Sequence, residues 1–130
     1  MNIALVGYGK MGRMIESLAP EFDARVTLKL DEFNNAAGEG FTAANFRDVD
    51  AAIEFSTPDA VLGNLRALVD LKVPTVVGTT GWDGARGEVR QLVEAAGTGM
   101  VWSANYSVGV QVFFRLVREA AVLLAGQQDY

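Results

Sequence analysis

Residues 2 to 12 read NIALVGYGKMG, an apolar run followed at once by the spacing G-x-G-x-x-G at Gly7, Gly9 and Gly12. This spacing has physical meaning where a strand turns into a helix. The first glycine then permits a tight bend, the second lets a pyrophosphate approach the backbone, and the third allows close packing of helix on strand. Helix amides face the anion. The stretch predicts a dinucleotide-binding turn.

An acidic residue stands where this interpretation requires one. A second strand-like run, residues 25 to 30, ends at Asp31, which lies 19 positions after Gly12. In dinucleotide-binding proteins an acid about 20 residues beyond the glycines offers its two carboxylate oxygens to the adenosine ribose. The alternative is a purely structural turn, because 14 glycines in 130 residues produce chance spacings. The flanking strand, helix and acid favour nucleotide binding.

Composition and charge limit the class of protein. The chain has 130 residues, of which 50% are hydrophobic and 21% charged, values typical of one globular domain. No apolar stretch reaches the roughly 18 residues that span a bilayer, so we expect no membrane partner and a cytoplasmic location. A net charge of -5 without a basic cluster argues against nucleic acid. Because Cys and His are absent, we expect no disulfide and no metal site.

Cations are nevertheless present at the glycine turn. We expect Lys10, inside the turn, to contact the cofactor, since the local field outweighs the total charge. Arg13 is interpreted equally well as a contact or as a solvated residue at the start of the helix.

Strand-like and helix-like runs alternate along the chain, the pattern of a parallel sheet. We therefore predict an α/β fold of Rossmann type, with helices on both faces, in which residues 1 to 130 form one dinucleotide-binding domain. Beyond Asp31 the predicted segments are a short helix at 42–46 in an irregular stretch, strands at 51–55, 74–77 and 100–102, and helices at 57–71 (capped by Thr57 and Pro58), around 89–96 (ending at Gly97) and 108–125.

Four polar turns should meet at the carboxyl edge of this sheet, where parallel sheets bind ligands. They are the glycine turn, Ser56-Thr57, residues 78–81 and residues 103–107. Each alone is explained as an ordinary connection, because Ser, Thr, Asn and Gly also serve caps and turns. Together they predict a site, with Tyr106 against a nicotinamide ring and the threonines near Gly78 at its carboxamide.

Four motifs in one order resemble those of the 4-hydroxy-tetrahydrodipicolinate reductase (dihydrodipicolinate reductase) family: Val6–Arg13, Ala52–Pro58, Val77–Trp82 and Ala104–Val110. The resemblance covers essentially the whole chain. Gln111 departs from the Asn of many members, and we expect little effect. The resemblance implies an oxidoreductase that uses NADH or NADPH to reduce a cyclic dicarboxylate imine in lysine and diaminopimelate biosynthesis.

The resemblance also implies residue roles. The glycine turn would hold the pyrophosphate, Asp31 the ribose, and Gly78, Thr79 and Thr80 the nicotinamide, with Thr80 also reaching the substrate. The full set expected to bind cofactor is Gly7, Tyr8, Gly9, Lys10, Met11, Gly12, Asp31, Phe55, Ser56, Gly78, Thr79, Thr80, Ser103, Ala104, Asn105 and Tyr106.

Members of that family continue into a substrate domain with a His-His segment, a Lys general acid and a Ser-Gly-Thr loop, through which the homotetramer forms. None of these occurs in the 130 residues. We therefore expect no catalytic acid or base in this chain, and cofactor binding without turnover by these residues alone. Apolar residues lie around most of the circumference of the last helix, residues 110 to 124, so we expect other parts of a protein to cover it on several sides. An alternative explanation of this apolar surface is that the helix lies at the centre of a small domain.

Asp31 favours NADH, because charge-assisted hydrogen bonds to ribose hydroxyls contribute roughly 1.5 to 3 kcal/mol and a 2′-phosphate is repelled. Glu32 stands where an arginine would favour NADPH, while Lys10 would offset part of the repulsion, so NADPH is also an expected ligand. Two alternatives to the reductase stay open. One is another Rossmann amino-acid or imine dehydrogenase, such as aspartate or homoserine dehydrogenase, and the other is a non-catalytic NAD-sensing module.

Overall fold

Five strands and four α-helices occupy residues 1 to 127, the part of the chain that this structure, a computed structural model, describes. In chain order they are β1 (Asn2–Val6), α1 (Lys10–Leu18), β2 (Arg25–Leu30), β3 (Ala51–Glu54), α2 (Val61–Asp70), β4 (Thr75–Val77), α3 (Arg86–Ala96), β5 (Met100–Trp102) and α4 (Val108–Leu124), with short 3-10 turns at Ala19–Phe22 and Asp83–Ala85.

The strands form one parallel sheet in the order β2-β1-β3-β4-β5. The first strand is therefore internal, and the chain adds β2 on one side of it and the other three strands on the opposite side. Because parallel crossovers are right-handed, this reversal places α1 on one face of the sheet and α2 and α3 on the other. The predicted Rossmann-type α/β fold is confirmed.

Alternation along β1 supplies both faces of the sheet. Ile3 and Leu5 pack with Ile15 of α1 and Ala19 on one face. On the other face, Ala4 and Val6 belong to a buried cluster that includes Leu68 of α2. A second cluster on that face joins α2 and α3 to β4 through Val61, Leu65, Val77, Trp82 and Val89. β1 is thus buried on both sides, which fixes its carboxyl end.

The irregular stretch between β2 and β3 crosses over β1. The helix predicted at 42–46 is wrong, since these residues form turns with a hydrogen bond of 3.1 Å from the Phe46 amide to the Thr42 carbonyl. The rings of Phe41 and Phe46 stack with centroids 5.9 Å apart, and Phe46 is buried against the sheet. The conformation of this segment is therefore determined by burial of the Phe46 ring against the sheet and not by local helix propensity.

α2 begins later than predicted, at Val61 rather than near Pro58. The Thr57 carbonyl accepts hydrogen bonds from the amides of Ala60 and Val61 at 3.1 and 3.0 Å, so residues 57 to 60 form a separate turn. Thr57 is therefore not the cap of α2, which has no side-chain cap. Thr57 and Pro58, which the sequence predicted to begin the helix, instead begin the turn that precedes it.

α4 has no buried residue. Ser107 caps it by accepting a hydrogen bond from the Val110 amide, and Phe113 and Leu116 are 60% and 64% exposed. The central position considered as an alternative is not the arrangement found in the described part of the chain. Over the same residues, no helix is both long enough and apolar enough to cross a membrane.

Gly7 is the residue whose replacement tests this architecture. Its φ is +92°, and an added Cβ would lie 2.1 Å from the carbonyl oxygen of Phe55. Gly7→Ala is expected to lower the free energy of unfolding by about 3 kcal/mol or more, because it combines left-handed strain with a backbone clash. Chemical denaturation followed by circular dichroism measures this change.

Gly63→Ala is the matched control. Gly63 lies inside α2, and an added Cβ there meets nothing within 4 Å. This substitution is expected to raise the free energy of unfolding by about 0.5 to 1 kcal/mol. Unchanged stability of the Gly7 variant would contradict the described packing of the turn.

Candidate functional site

A cavity of about 570 Å³ opens at the carboxyl end of β1. The connection that leaves β1 runs to β2 on one side, whereas the connection that leaves the neighbouring β3 runs to β4 on the opposite side. The point between β1 and β3 where they diverge is a switch point, where open parallel sheets bind ligands. The cavity is lined by Val6, Gly7, Tyr8, Gly9, Arg13, Leu30, Asp31, Glu32, Phe33, Asn35, Ala36, Phe55, Ser56, Thr57, Ala60 and Asn64.

The three glycines of the turn meet different surroundings. Added Cβ atoms at Gly7 and Gly12 would lie 2.1 Å from the Phe55 oxygen and 2.6 Å from the Gly7 oxygen. At Gly9, in contrast, a Cβ meets no protein atom within 4 Å. Protein packing therefore requires the outer two glycines, whereas the middle one only keeps the cavity open. This arrangement fits a ligand that approaches the backbone at Gly9.

The start of α1 offers free donors beside this open space. α1 has no side-chain cap, and Arg13 is the first residue whose amide bonds back, to the Gly9 carbonyl at 3.1 Å. Within residues 1 to 127, the amides of residues 10 to 12 donate to no protein acceptor. Free amides at a helix N-terminus match the needs of a phosphate group.

Asp31, directly after β2, is engaged in a turn of its own. Its Oδ1 accepts hydrogen bonds from the amides of Phe33 and Asn34 at 2.9 and 3.3 Å. The Asn34 Oδ1 in return accepts from the Asp31 amide at 2.9 Å. One of the two oxygens that the sequence analysis assigned to a ribose is thus used by the turn, and Oδ2 is the oxygen left for a ligand hydroxyl.

Tyr8 is held rigidly between the glycines. Its hydroxyl donates to Glu16 of α1, and Lys29 of β2 lies 3.0 Å from Glu16 and 4.8 Å from the Tyr8 ring centroid. The hydrogen bond to Glu16 raises the pKa of Tyr8, and the same bond, together with Lys29, lowers the pKa of Glu16. Tyr8 is therefore a neutral phenol that braces the turn against α1 and β2.

Sequence reasoning missed Glu54, the last residue of β3. Glu54 is fully buried, and its Oε1 accepts from the Ser56 hydroxyl, from the Ser56 amide at 3.2 Å and from the Asn64 Nδ2 at 3.2 Å. Both Ser56 and Asn64 line the cavity. The buried carboxylate thus fixes two polar side chains of the wall. A Glu within an otherwise apolar strand was the available signal.

A second cavity of about 410 Å³ lies on the other side of Phe55. It is lined by Met11, Phe55, Gly78, Ser103, Ala104, Asn105, Tyr106 and Ser107. A Cβ at Gly78 would lie 2.1 Å from the Phe55 ring, so only glycine accommodates the ring in this position. Phe55 lines both cavities and joins them along the edge of the sheet.

Tyr106 closes the second cavity. Its hydroxyl is bonded to the carbonyls of Val77 and Val101 at 3.0 and 3.2 Å, and its ring meets that of Phe55 edge-on at 6.5 Å. Burial raises the pKa of Tyr106. The residue therefore acts as a neutral clamp between β4 and β5 and offers its ring, not an acid, to the cavity.

The structure brings most of the expected site residues together. The first cavity is lined by Gly7, Tyr8, Gly9, Asp31, Phe55 and Ser56, and the second by Met11, Phe55, Gly78, Ser103, Ala104, Asn105 and Tyr106. Four expected residues line neither, namely Lys10, Gly12, Thr79 and Thr80. Lys10 and Thr80 are exposed, while Gly12 and Thr79 are buried.

Thr79 anchors its loop instead. Its carbonyl accepts hydrogen bonds from the indoles of Trp82 and Trp102 at 2.8 and 3.3 Å. Its hydroxyl is buried and has no partner among the described residues. The two indoles hold residues 78 to 81 in place beside Phe55.

Comparison with known proteins shows the family to which this chain is similar. Residues 1–106 match the family model described as dihydrodipicolinate reductase, N-terminus. The chain is 35% identical over 130 residues to the 4-hydroxy-tetrahydrodipicolinate reductase of Christiangramia forsetii, covering 100% of this chain and 52% of that protein. For the reductase of the same name in Cupriavidus taiwanensis, the identity is 36% over 147 residues, with 99% and 55% covered.

For that of Wolbachia pipientis wMel the identity is 42% over 84 residues, which covers 65% of this chain and 31% of the relative. The chain spans about half the length, or less, of these curated relatives. A match across the glycine turn, both cavities and all five strands leads to one conclusion: the chain belongs to the dihydrodipicolinate reductase family.

Proposed function

We propose that this chain is the nucleotide-binding part of a cytoplasmic, NAD(P)H-dependent 4-hydroxy-tetrahydrodipicolinate reductase of lysine and diaminopimelate biosynthesis. The observation that carries the proposal is the open space above Gly9, which lies beside unbonded helix amides at the switch point of the sheet. Family membership supports the nicotinamide dinucleotide as the ligand.

The dinucleotide is proposed to run along the sheet edge from one cavity to the other. The pyrophosphate lies at Gly9 and the α1 amides, and the adenosine ribose meets Asp31 Oδ2. Phe55 lies at the junction, since it lines both cavities. The bound cofactor supplies the hydride for reduction of a C=N bond, and the chain orients it.

The nicotinamide ring is proposed to enter the second cavity. Met11, Phe55 and Tyr106 offer apolar surface there, while the 103–107 loop offers polar groups. That loop is stabilised by Gln111, whose amide donates to the Asn105 carbonyl at 2.5 Å. Gln111, which replaces the Asn of many family members, thus stabilises the 103–107 loop.

The substrate is proposed to be a small dicarboxylate that Thr80 reaches at the open side of the nicotinamide. The curated relatives are about twice as long as this chain. We place the groups that bind the substrate carboxylates and donate the proton in the part of those proteins that this chain does not match.

Gly9→Ala tests the pyrophosphate site. An added Cβ meets no protein atom within 4 Å, but the φ of -84° and ψ of -148° lie just outside the region that alanine favours, so the free energy of unfolding should fall by about 1 to 3 kcal/mol. The methyl group enters the space proposed for the pyrophosphate, so NADH affinity is expected to fall at least about tenfold, because backbone amides then cannot be approached. Fluorescence titration with NADH measures this loss, and Gly63→Ala is the control. Unchanged affinity would place the pyrophosphate elsewhere.

The 130-residue chain is expected to bind NADH without consuming it when 4-hydroxy-tetrahydrodipicolinate is supplied, since histidine, the commonest general acid, is absent. Absorbance of the reduced cofactor follows the reaction. A folded chimera carrying this chain before the unmatched half of the Christiangramia forsetii reductase is expected to consume NADH. Turnover by the chain alone, or an inactive chimera that binds NADH, would contradict the proposal.

We further propose that NADH is preferred and NADPH tolerated. Asp31 and Glu32 line the proposed adenosine end, where Arg13 is the single cation among the lining residues. Asp31→Asn keeps the Oδ1 acceptor of the turn but removes the charge. The preference for NADH over NADPH is then expected to fall roughly fivefold, as about 1 kcal/mol of repulsion is lost.

Competitive titration of the two cofactors gives this ratio, with Asp23→Asn as a control because Asp23 lines neither cavity. Wild-type binding of NADPH ten times tighter than NADH would refute the preference.

A further inference from the structure

Phe33 is the most exposed large apolar side chain of residues 1 to 127, at 89%. A single exposed Phe is ordinary on a protein surface. This one, however, lines the first cavity beside Asp31 and Glu32. Its ring thus stands at the rim of the space where the adenosine half of a dinucleotide is proposed to bind.

The backbone that carries Phe33 is held firmly. The Phe33 amide donates to Asp31 Oδ1 at 2.9 Å, and the Asn35 amide donates to the Asp31 carbonyl at 2.9 Å. Asn34 ties the same turn to β2 through a hydrogen bond of 2.9 Å to the Lys29 carbonyl. These hydrogen bonds fix the backbone from which the Phe33 ring projects, so the ring is attached at a defined point beside the cavity.

We propose that Phe33 stacks on the adenine ring of the dinucleotide. This inference rests on the proposed function and adds the residue that recognises the base. In adenosine the base is attached to the ribose carbon next to the 2′-hydroxyl. A side chain two positions beyond the acid that meets this hydroxyl, on a turn that the same acid closes, is well placed for the base.

The ring offers the chemistry that a base needs. Adenine has a flat π-face, and aromatic side chains bind such faces without depending on hydrogen bonds. On binding, the most exposed apolar ring of the described residues loses contact with water on one face. Asp31 then has a double role, since Oδ2 meets the ribose while Oδ1 holds the turn that carries the stacking ring.

The test compares two exposed phenylalanines. Phe33→Ala is expected to lower the affinity for NADH and ADP-ribose about 5- to 20-fold. The affinity for reduced nicotinamide mononucleotide, which has no adenine, is expected to stay unchanged. Phe22→Ala is the matched control, because Phe22 is 75% exposed and lines neither cavity. Its affinities are expected to stay within about twofold of wild type. Calorimetric titration gives all of these constants.

Two further variants separate stacking from mere apolar contact. Phe33→Leu is expected to lose most of the affinity for ADP-ribose, and Phe33→Trp to keep it. The unfolding midpoint of each variant should equal that of the wild type, since the ring is exposed.

The outcomes distinguish this inference from the proposed function. Unchanged NADH and ADP-ribose affinity in Phe33→Ala overturns the stacking role and leaves the dinucleotide site intact. A loss of affinity for reduced nicotinamide mononucleotide by the same factor also overturns the stacking role, because Phe33 then supports the whole site. Failure of the wild-type chain to bind NADH refutes the proposed function itself.

Discussion

The site depends on the close approach of the first turn to the end of β3. The Gly7 amide donates to the Leu30 carbonyl and the Phe55 amide donates to the Val6 carbonyl, both at 2.8 Å. These bonds join the carboxyl ends of β2, β1 and β3, and only a residue without a Cβ fits at Gly7 between them. Because the turn is bonded to both neighbours of β1, the opening at the switch point is fixed by the backbone. A ligand that binds there meets amides already in position, which reduces the ordering that binding requires.

Phe55 extends this constraint to the second cavity. Its backbone supports Gly7, its ring covers Gly78, and it meets the ring of Tyr106. Tyr106 in turn ties β4 to β5 through its hydroxyl. These contacts therefore form a continuous connection along the sheet edge from the glycine turn to Tyr106 in the 103–107 loop. The four turns that the sequence grouped only by their place after strands are connected through the backbone and the ring of one residue, Phe55.

The sequence predicted those parts of the molecule that local pattern controls. The bounds of β1 and β2 agree with the expected ones, because β1 is an apolar run ended by the glycine turn and β2 an alternating run of polar and apolar residues ended by an acid. Pattern failed at 42–46 and at Thr57, where burial of Phe46 and the turn before α2 decide the backbone. In the site, spacing found the glycines and Asp31. It did not find Glu54 or Asn64, since their positions depend on crossovers that bring distant segments together. It did not find Phe33 either, since an exposed ring on a local turn carries no sequence signal of its own. The cofactor contact expected for Lys10 stays a prediction, since Lys10 is exposed and lines neither cavity, and a motif does not fix the direction of a side chain.

The charges of the first cavity indicate how an anionic ligand is selected. Asp31 and Glu32 line it, and Arg13 is the one cation among its lining residues. A net charge of -5 adds no long-range attraction. Arg13 and the free amides of α1 are then the groups available to a phosphate, and the amides and the helix dipole act only over the first turn of the helix. The preference for NADH that we propose follows from this arrangement, since the α1 amides act on the pyrophosphate at Gly9, whereas Asp31 and Glu32 at the proposed adenosine end repel a 2′-phosphate.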